Sequence, residues 1–374
     1  MSDDIYRKLQ RHLDRMPVPF PATESGVEIR ILKHLFAPED ARVALALSMI
    51  PETVGVIHRR LRRTTSRESL ADHLARLAER GLITAMPGAR GPKYAKAVFA
   101  VGFYEAQVNR LTRDFERDVL QYMDEAFGRA LHSLRTPQMR TVPVNRVIPL
   151  PDRAVGRYDD IAAIVRASKG PFAVMNCICQ QGKDLLAEPC RQTSEREHCL
   201  TLGSAAEMLV QRADARFVSC EEMLALLERA DREGLVLQPQ NTGEPLFVCC
   251  CCGCCCGVLA TAKKLPRPAE FLQSNYFARA EAEKCEACGT CETRCQMDAV
   301  ALKSDVATVD LERCIGCGLC VSTCPSEAMQ LFPKPAQRVP PKDTPGLYMQ
   351  MFRDRYGTLG LAAAVGRSVL GLKT

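Results

Sequence analysis

The chain has 374 residues, 47% of them hydrophobic, with 20 cysteines, no tryptophan and a formal charge of +6. That length predicts two to four domains with real cores. Cysteines grouped in closely spaced runs exclude a disulfide scaffold, and thiolates that hold metal need a reducing compartment. The start of the chain has no basic and then apolar leader, and the apolar runs at 44–50 and 359–365 are too short to span a bilayer, so a cytoplasmic location is expected. Charge is uneven: residues 55–96 hold ten Arg/Lys against three acids, and residues 280–332 hold nine acids against four Arg/Lys. An acidic segment of that kind docks on a basic partner surface.

Residues 1–26, with Pro17, Pro19 and Pro21, read as a polar N-terminal arm. Helical periodicity begins at Val27. Ile29, Ile31, Leu32 and Leu35 mark one helix, Pro38 opens a second to about Met49, and Pro51-Glu52 starts a third through Val56, Ile57 and Leu61. Ser66 caps a fourth with Leu70, Leu74 and Leu77 in register, ended by Gly81. Leu82 to Thr84, a Pro/Gly turn at 87–92 and Tyr94 to Ala100 follow as a hairpin. Helices leading into a hairpin over 27–103 predict a winged helix. The phrase from Leu74 to Ile83 is similar to the recognition-helix-into-wing junction of MarR-like regulators, and the resemblance implies a DNA-reading or dimeric module. Arg59, Arg60, Arg62, Arg63, Arg67, Arg90 and Lys93 are candidate phosphate contacts, but few polar base readers accompany them. Protein docking is therefore preferred over DNA.

Residues 104–136 read as one long connecting helix, with Val108, Leu111, Phe115, Val119, Met123 and Phe127 as its apolar seam. A homodimer through such a helix is what the MarR-like resemblance implies. Residues 137–154, rich in Pro and Val, form the expected linker.

The middle domain, 155–265, is rich in cysteine. A helix to Ala167 and a strand Phe172 to Met175 lead to Cys177 and Cys179, followed by Cys190 and Cys199. Helices through 205–210 and 221–230 precede a run of seven cysteines in eight residues, Cys249 to Cys256, interrupted by Gly253. Packing does not explain such a run. Alternate side chains of an extended chain point to opposite faces, so selected sulfurs must converge. The candidate metal ligands are Cys177, Cys179, Cys190, Cys199, Cys249, Cys251, Cys252, Cys254, Cys255 and Cys256. They point to a further Fe–S cluster, to a zinc site that His198 joins, or to a redox-active thiol element. Cys220, alone at a helix start, is expected to pack rather than ligate.

Residues 278–333 carry Cys285-x2-Cys288-x2-Cys291-x3-Cys295 and Cys314-x2-Cys317-x2-Cys320-x3-Cys324-Pro325, with every cysteine repeated at an offset of 29 residues. This segment resembles the two-cluster bacterial ferredoxins. The resemblance implies two [4Fe-4S] clusters, one held by Cys285, Cys288, Cys291 and Cys324 and the other by Cys314, Cys317, Cys320 and Cys295. Gln296 departs from the pattern, standing where Pro325 follows in the second run. Two zinc ribbons, the competing account, use paired rather than triple runs. A Pro-rich linker and a C-terminal helix fill 334–374.

The expected fold class is α+β multidomain: an N-terminal winged helix, a cysteine-rich α/β middle domain, a two-cluster ferredoxin-like domain and a C-terminal helical tail. The expected function is one-electron relay within a larger oxidoreductase system, with flavin or Fe–S subunits as redox partners. The alternatives are a redox-responsive winged-helix regulator and a disulfide reductase using Cys249 to Cys256. No catalytic residue is assigned, because nucleotide-binding, P-loop and zincin motifs are absent from the sequence.

Overall fold

The computed structural model describes residues 2–144 and 158–374, with side chains from Asp4 onward. The chain divides into two compact units, residues 1–135 with 348–374, and residues 136–347.

In the first unit the N-terminal stretch is not an arm. It forms helix α1 (Ser2–Leu13), and Tyr6, Leu9 and Leu13 bury one face. The apolar residues stand three and four apart, which is enough to seat a helix even in a polar-looking segment. Phe20, fully buried, then packs against Phe99, Phe103 and Tyr122 with ring centroids 5.6, 6.0 and 5.0 Å away. Helices α2 (Val27–Leu35) and α3 (Pro38–Ala44) follow the expected period, although α3 stops five residues before Met49. Glu52–Thr53 is strand β1 rather than a helix start; helix α4 (Val54–Leu61) begins just after it. Ser66 caps α5 (Arg67–Glu79) by accepting from Ser69 N–H, as its side chain predicts. Strands β2 (Ile83–Met86) and β3 (Lys93–Lys96) complete an antiparallel sheet of order β1-β3-β2.

The connecting helix is shorter than its seam suggests. Thr112 caps α6 (Arg113–Tyr122), which continues through a wide turn at Met123–Phe127 into α7 (Gly128–His132). Asn109 takes a positive φ of 63° just upstream, so residues 104–112 do not join that helix. The tail supplies α16 (Thr344–Val369). In the first unit, Lys373 Nζ donates to Leu45 O at 3.0 Å and Thr374 N to Ser48 Oγ at 3.2 Å.

The second unit is built on a five-stranded sheet of order β6-β4-β5-β8-β7. Its strands are β4 (Phe172–Asn176), β5 (Glu197–Leu202), β6 (Arg216–Val218), β7 (Val236–Pro239) and β8 (Phe247–Cys251). Every pairing is antiparallel, so the mixed helix and strand content is not the parallel arrangement that α/β implies. Helices α8 (Ile161–Ala167), α9 (Ile178–Leu185), α10 (Ser204–Gln211), α11 (Cys220–Arg232), α12 (Gly257–Lys263) and α13 (Pro268–Phe271) surround it. Of the expected linker, residues 137–144 are extended but packed. Met139 and Val142 bridge to Gln240 and Leu237, and Val142 and Val144 are fully buried. The remainder, 145–154, lies outside the described residues.

The ferredoxin-like segment adds two antiparallel pairs, β9 (Tyr276–Ala280) with β12 (Met329–Pro333) and β10 (Val300–Lys303) with β11 (Val306–Val309). Two short helices, α14 (Thr290–Arg294) and α15 (Leu319–Ser322), start directly after Gly289 and Gly318, the glycines that follow the second cysteine of each run. One hydrophobic core runs from Val142 through the sheet to Met329, so the cysteine-rich and ferredoxin-like segments fold as one body.

Candidate metal centres

The ferredoxin-like segment repeats in its backbone as well as in its cysteines. Positive φ angles recur at Ala287 and Gly316, at Gly289 and Gly318, and at Asp298 and Glu327, each pair 29 residues apart. Gly316 is obligatory for a second reason: a Cβ there would lie 2.2 Å from Tyr276 O. The sulfur contacts repeat too. Ala278 N–H donates to Cys314 Sγ and Ala307 N–H donates to Cys285 Sγ, both at 3.4 Å. These donors and acceptors obey the same offset with the two halves exchanged, which is the signature of a local two-fold.

Cys295, Cys314, Cys317 and Cys320 line one cavity together with Ala278, Ile315 and Leu319. The first run therefore contributes Cys295 to the set formed by the second. Cys285, Cys288 and Cys291 follow one another at three-residue steps through the turn at Ala287 and Gly289 into α14. Cys324 Sγ accepts from Met329 N–H at 3.4 Å, and Cys295 Sγ from Ala299 N–H at 3.1 Å. Burial pushes the Cys317 thiol up to about 12 and raises Cys314 and Cys320 as well. An anionic sulfur in that apolar wall needs a cation beside it. Thiols facing a common cavity, with backbone N–H groups aimed at sulfur, fit an iron–sulfur cluster.

In the middle sheet, tertiary register selects the sulfurs. Cys199 of β5 stands directly opposite Cys249 of β8, and Cys251 follows two residues later on the same face. Cys250 points the other way, buried in the core near Arg229 and Glu233, and burial raises its thiol. Past β8 the run curls. Cys256 N–H donates to Cys252 O at 3.2 Å, closing a turn around Gly253. Cys190, in the loop after α9, meets this turn: its sulfur lies 3.6 Å from Cys252 Sγ and 3.8 Å from Cys254 Sγ, and Cys254 Sγ is 3.7 Å from Cys255 Sγ. All four sulfurs lie within 4.8 Å of one another, and among the described residues only this set meets that spacing. A metal–sulfur bond of about 2.3 Å gives a tetrahedral S···S edge of about 3.8 Å. The four thiols therefore match a single tetrahedral ion, and sulfurs on the corners of a cubane stand further apart.

Cys252 and Cys255 belong to the hydrophobic core, and Cys190 and Cys254 pack against it. Its contacts with Cys252 and Cys255 draw the Cys190 thiol down to about 6, and Gln180 Nε2 donates to Cys190 Sγ at 3.5 Å. His198 does not join the metal set as expected. Its Nδ1 meets Gln180 Oε1 and its Nε2 meets Glu233 Oε2, each at 2.9 Å, because β5 alternation turns it to the face opposite Cys199. Cys220, the first residue of α11, packs against the core from a half-buried position.

Gln296 joins the two regions. Its Oε1 accepts from Gly253 N–H at 2.8 Å, and a Cβ on Gly253 would sit 2.4 Å from Gln296 O. This contact accounts for the departure of the first run from the pattern, since a proline at 296 would offer no acceptor to the cysteine run.

Residues 307–330 match the family of 4Fe-4S binding domains. The match contains Cys314, Cys317, Cys320 and Cys324. No curated protein and no solved structure matches the chain. Among the described residues, no helix is long and apolar enough to cross a membrane.

Proposed function

We propose that this protein relays single electrons through two [4Fe-4S] clusters and a further metal–sulfur site, as a cytoplasmic component of a larger oxidoreductase system. Bound at the ferredoxin-like runs, the clusters supply one-electron storage at a potential set by ligation, hydrogen bonding and burial. The chain's own residues hold the sulfurs, exclude water and direct N–H groups at sulfur. In this reading Cys285, Cys288, Cys291 and Cys324 ligate one cluster, and Cys314, Cys317, Cys320 and Cys295 the other. The observation that carries it is the exchanged pair of N–H···S contacts at Ala278 and Ala307, because a duplicated sulfur environment calls for a duplicated centre.

Cys190, Cys252, Cys254 and Cys255 hold the further metal, and Gln296 with Gly253 gives a bonded path from Cys295 into that site. The acidic face of 280–332 receives the redox partner. The order of α3, β1, α4, α5, β2 and β3 is that of a winged helix, which serves here as a docking module. A redox-responsive regulator is the second reading. It is favoured by the exposed Arg59, Arg62, Arg63, Arg67 and Arg90, while Arg60 is engaged by Glu52 through two bonds of 2.6 Å.

Anaerobic purification of the full chain tests the first reading. Sulfide and iron consistent with about eight cluster irons, and a reduced-state EPR signal from two interacting clusters, are expected. Iron without acid-labile sulfide overturns it. Salt-resistant binding to a defined DNA sequence would instead promote the regulator.

A further inference from the structure

With Cys220, Cys250 and the compact four-thiol set put aside, the cysteine-rich segment keeps six thiols: Cys177, Cys179, Cys199, Cys249, Cys251 and Cys256. We propose that these six hold a second centre of the middle sheet, a polynuclear iron–thiolate centre distinct from the four-thiol site. The inference rests on the reading of this chain as an iron–sulfur protein and deepens it.

Contiguity is the first argument. Cys177 interacts with Cys179, Cys179 with Cys256, Cys256 with Cys251, Cys251 with Cys249, and Cys249 with Cys199. Sheet register gives the same grouping: Met175 of β4 pairs with Cys199 of β5, which faces Cys249 of β8, so the strand end leading into Cys177 lies beside the Cys199–Cys249 pair. Rigid elements place every member. Cys177 and Cys179 leave β4 and open α9, Cys199 and Cys249 form a cross-strand pair, Cys251 ends β8, and Cys256 precedes α12.

Number and span decide the nuclearity. A tetrahedral ion takes four thiolates, and these six run as an open chain in which no set meets the close mutual spacing of the other site. Six thiolates spread in that way need two or more ions that share sulfurs between them. Soft thiolates accept iron or zinc. Iron is the choice here because the run 251–256 continues through Gly253 to Gln296 and the ferredoxin-like segment, a path on which a redox-inert ion has no use.

The test counts iron, zinc and sulfide per chain in anaerobically prepared full-length protein. Two cubanes take about eight irons, so with one ion at the four-thiol site and two or more at the six, the wild type is expected to hold about eleven metal ions or more. Cys179→Ser and Cys177→Ser are each expected to lose two or more irons, Cys254→Ser a single ion, and Cys250→Ala none. The ferredoxin EPR signal, retained in each variant, reports an intact fold. A wild-type total of about nine overturns the proposal. So does a Cys179→Ser protein with its full complement, a Cys179→Ser protein that loses the same ion as Cys254→Ser, or a loss of zinc in place of iron. A wild type lacking the ferredoxin EPR signal contradicts the functional reading instead, while the variants still count metal at the six thiols.

Discussion

The ferredoxin-like segment and the cysteine-rich sheet both gather thiols, by opposite means. In the first, eight cysteines stand at fixed sequence intervals, four of them lining one cavity, and backbone N–H groups such as those of Ala278 and Ala307 donate to their sulfurs. In the second, cysteines adjacent in sequence are sorted onto faces by strand alternation and onto one turn by Gly253. Sulfurs of the Cys190 set then touch one another at 3.6 to 3.8 Å. The difference teaches that sulfur spacing carries nuclearity: contact distance fits one shared ion, and separation around a cavity fits a cluster.

The change that strikes hardest at this contrast is Cys317→Ala. It removes a thiol that lines the ferredoxin cavity, so about four irons should be lost, along with much of the segment's stability, because cluster binding and folding are coupled. Iron analysis and reduced-state EPR check it. Full iron with an unchanged spectrum would break the contrast at its clearer side.

Gly253→Ala addresses the junction of the two regions. The added Cβ would meet Gln296 O at 2.4 Å, and neither backbone can yield without opening the turn that carries Cys252, Cys254 and Cys255. A cost of about 3 kcal/mol, at the upper end of overpacking penalties, should appear in denaturant unfolding. Metal should be lost from the four-thiol site before the ferredoxin EPR signal fades. Gln296→Leu, which leaves Gly253 N–H without its acceptor, should cost about 1–2 kcal/mol. Loss of both signals together at one denaturant concentration would show that the two regions fail as one.

The smallest effect lies outside both regions and supplies a baseline. Lys96 is buried in the first unit with Nζ donating to His12 O at 3.2 Å, and burial, then the charges of Lys373 and Arg15, lower its value from 10.5 to about 7. Between those pH values the unfolded chain keeps a proton that the folded chain releases. The Lys96 contribution therefore makes this unit more stable as pH rises from 7 to 10.5, and below 7, where both states hold the proton, it no longer changes with pH. Lys96→Met should flatten that slope and raise the midpoint at pH 7 by about 5 °C, as read by thermal unfolding at several pH values. An unchanged slope would remove Lys96 from the account.

The ferredoxin spacing was legible because cluster ligation is written in local intervals: three thiols per run and a 29-residue offset need no knowledge of the rest of the chain. Helix caps such as Ser66, and the strand ahead of Cys177, were legible for the same reason, since a cap or a short strand depends on its neighbours in sequence. The helix over 2–13 was hidden by the polar look of the segment, although Tyr6, Leu9 and Leu13 already carried its period. What the ten middle-sheet thiols do was decided only in three dimensions. Register sets Cys199 against Cys249, the turn around Gly253 brings Cys254 to Cys190, and strand alternation sends His198 to Gln180 and Glu233. Gln296 was visible as a break in a repeat, but its reason, the amide of Gly253, lies 43 residues away in sequence. Distances of that kind are fixed by how strands pair and cores close, and no local interval in the chain records them.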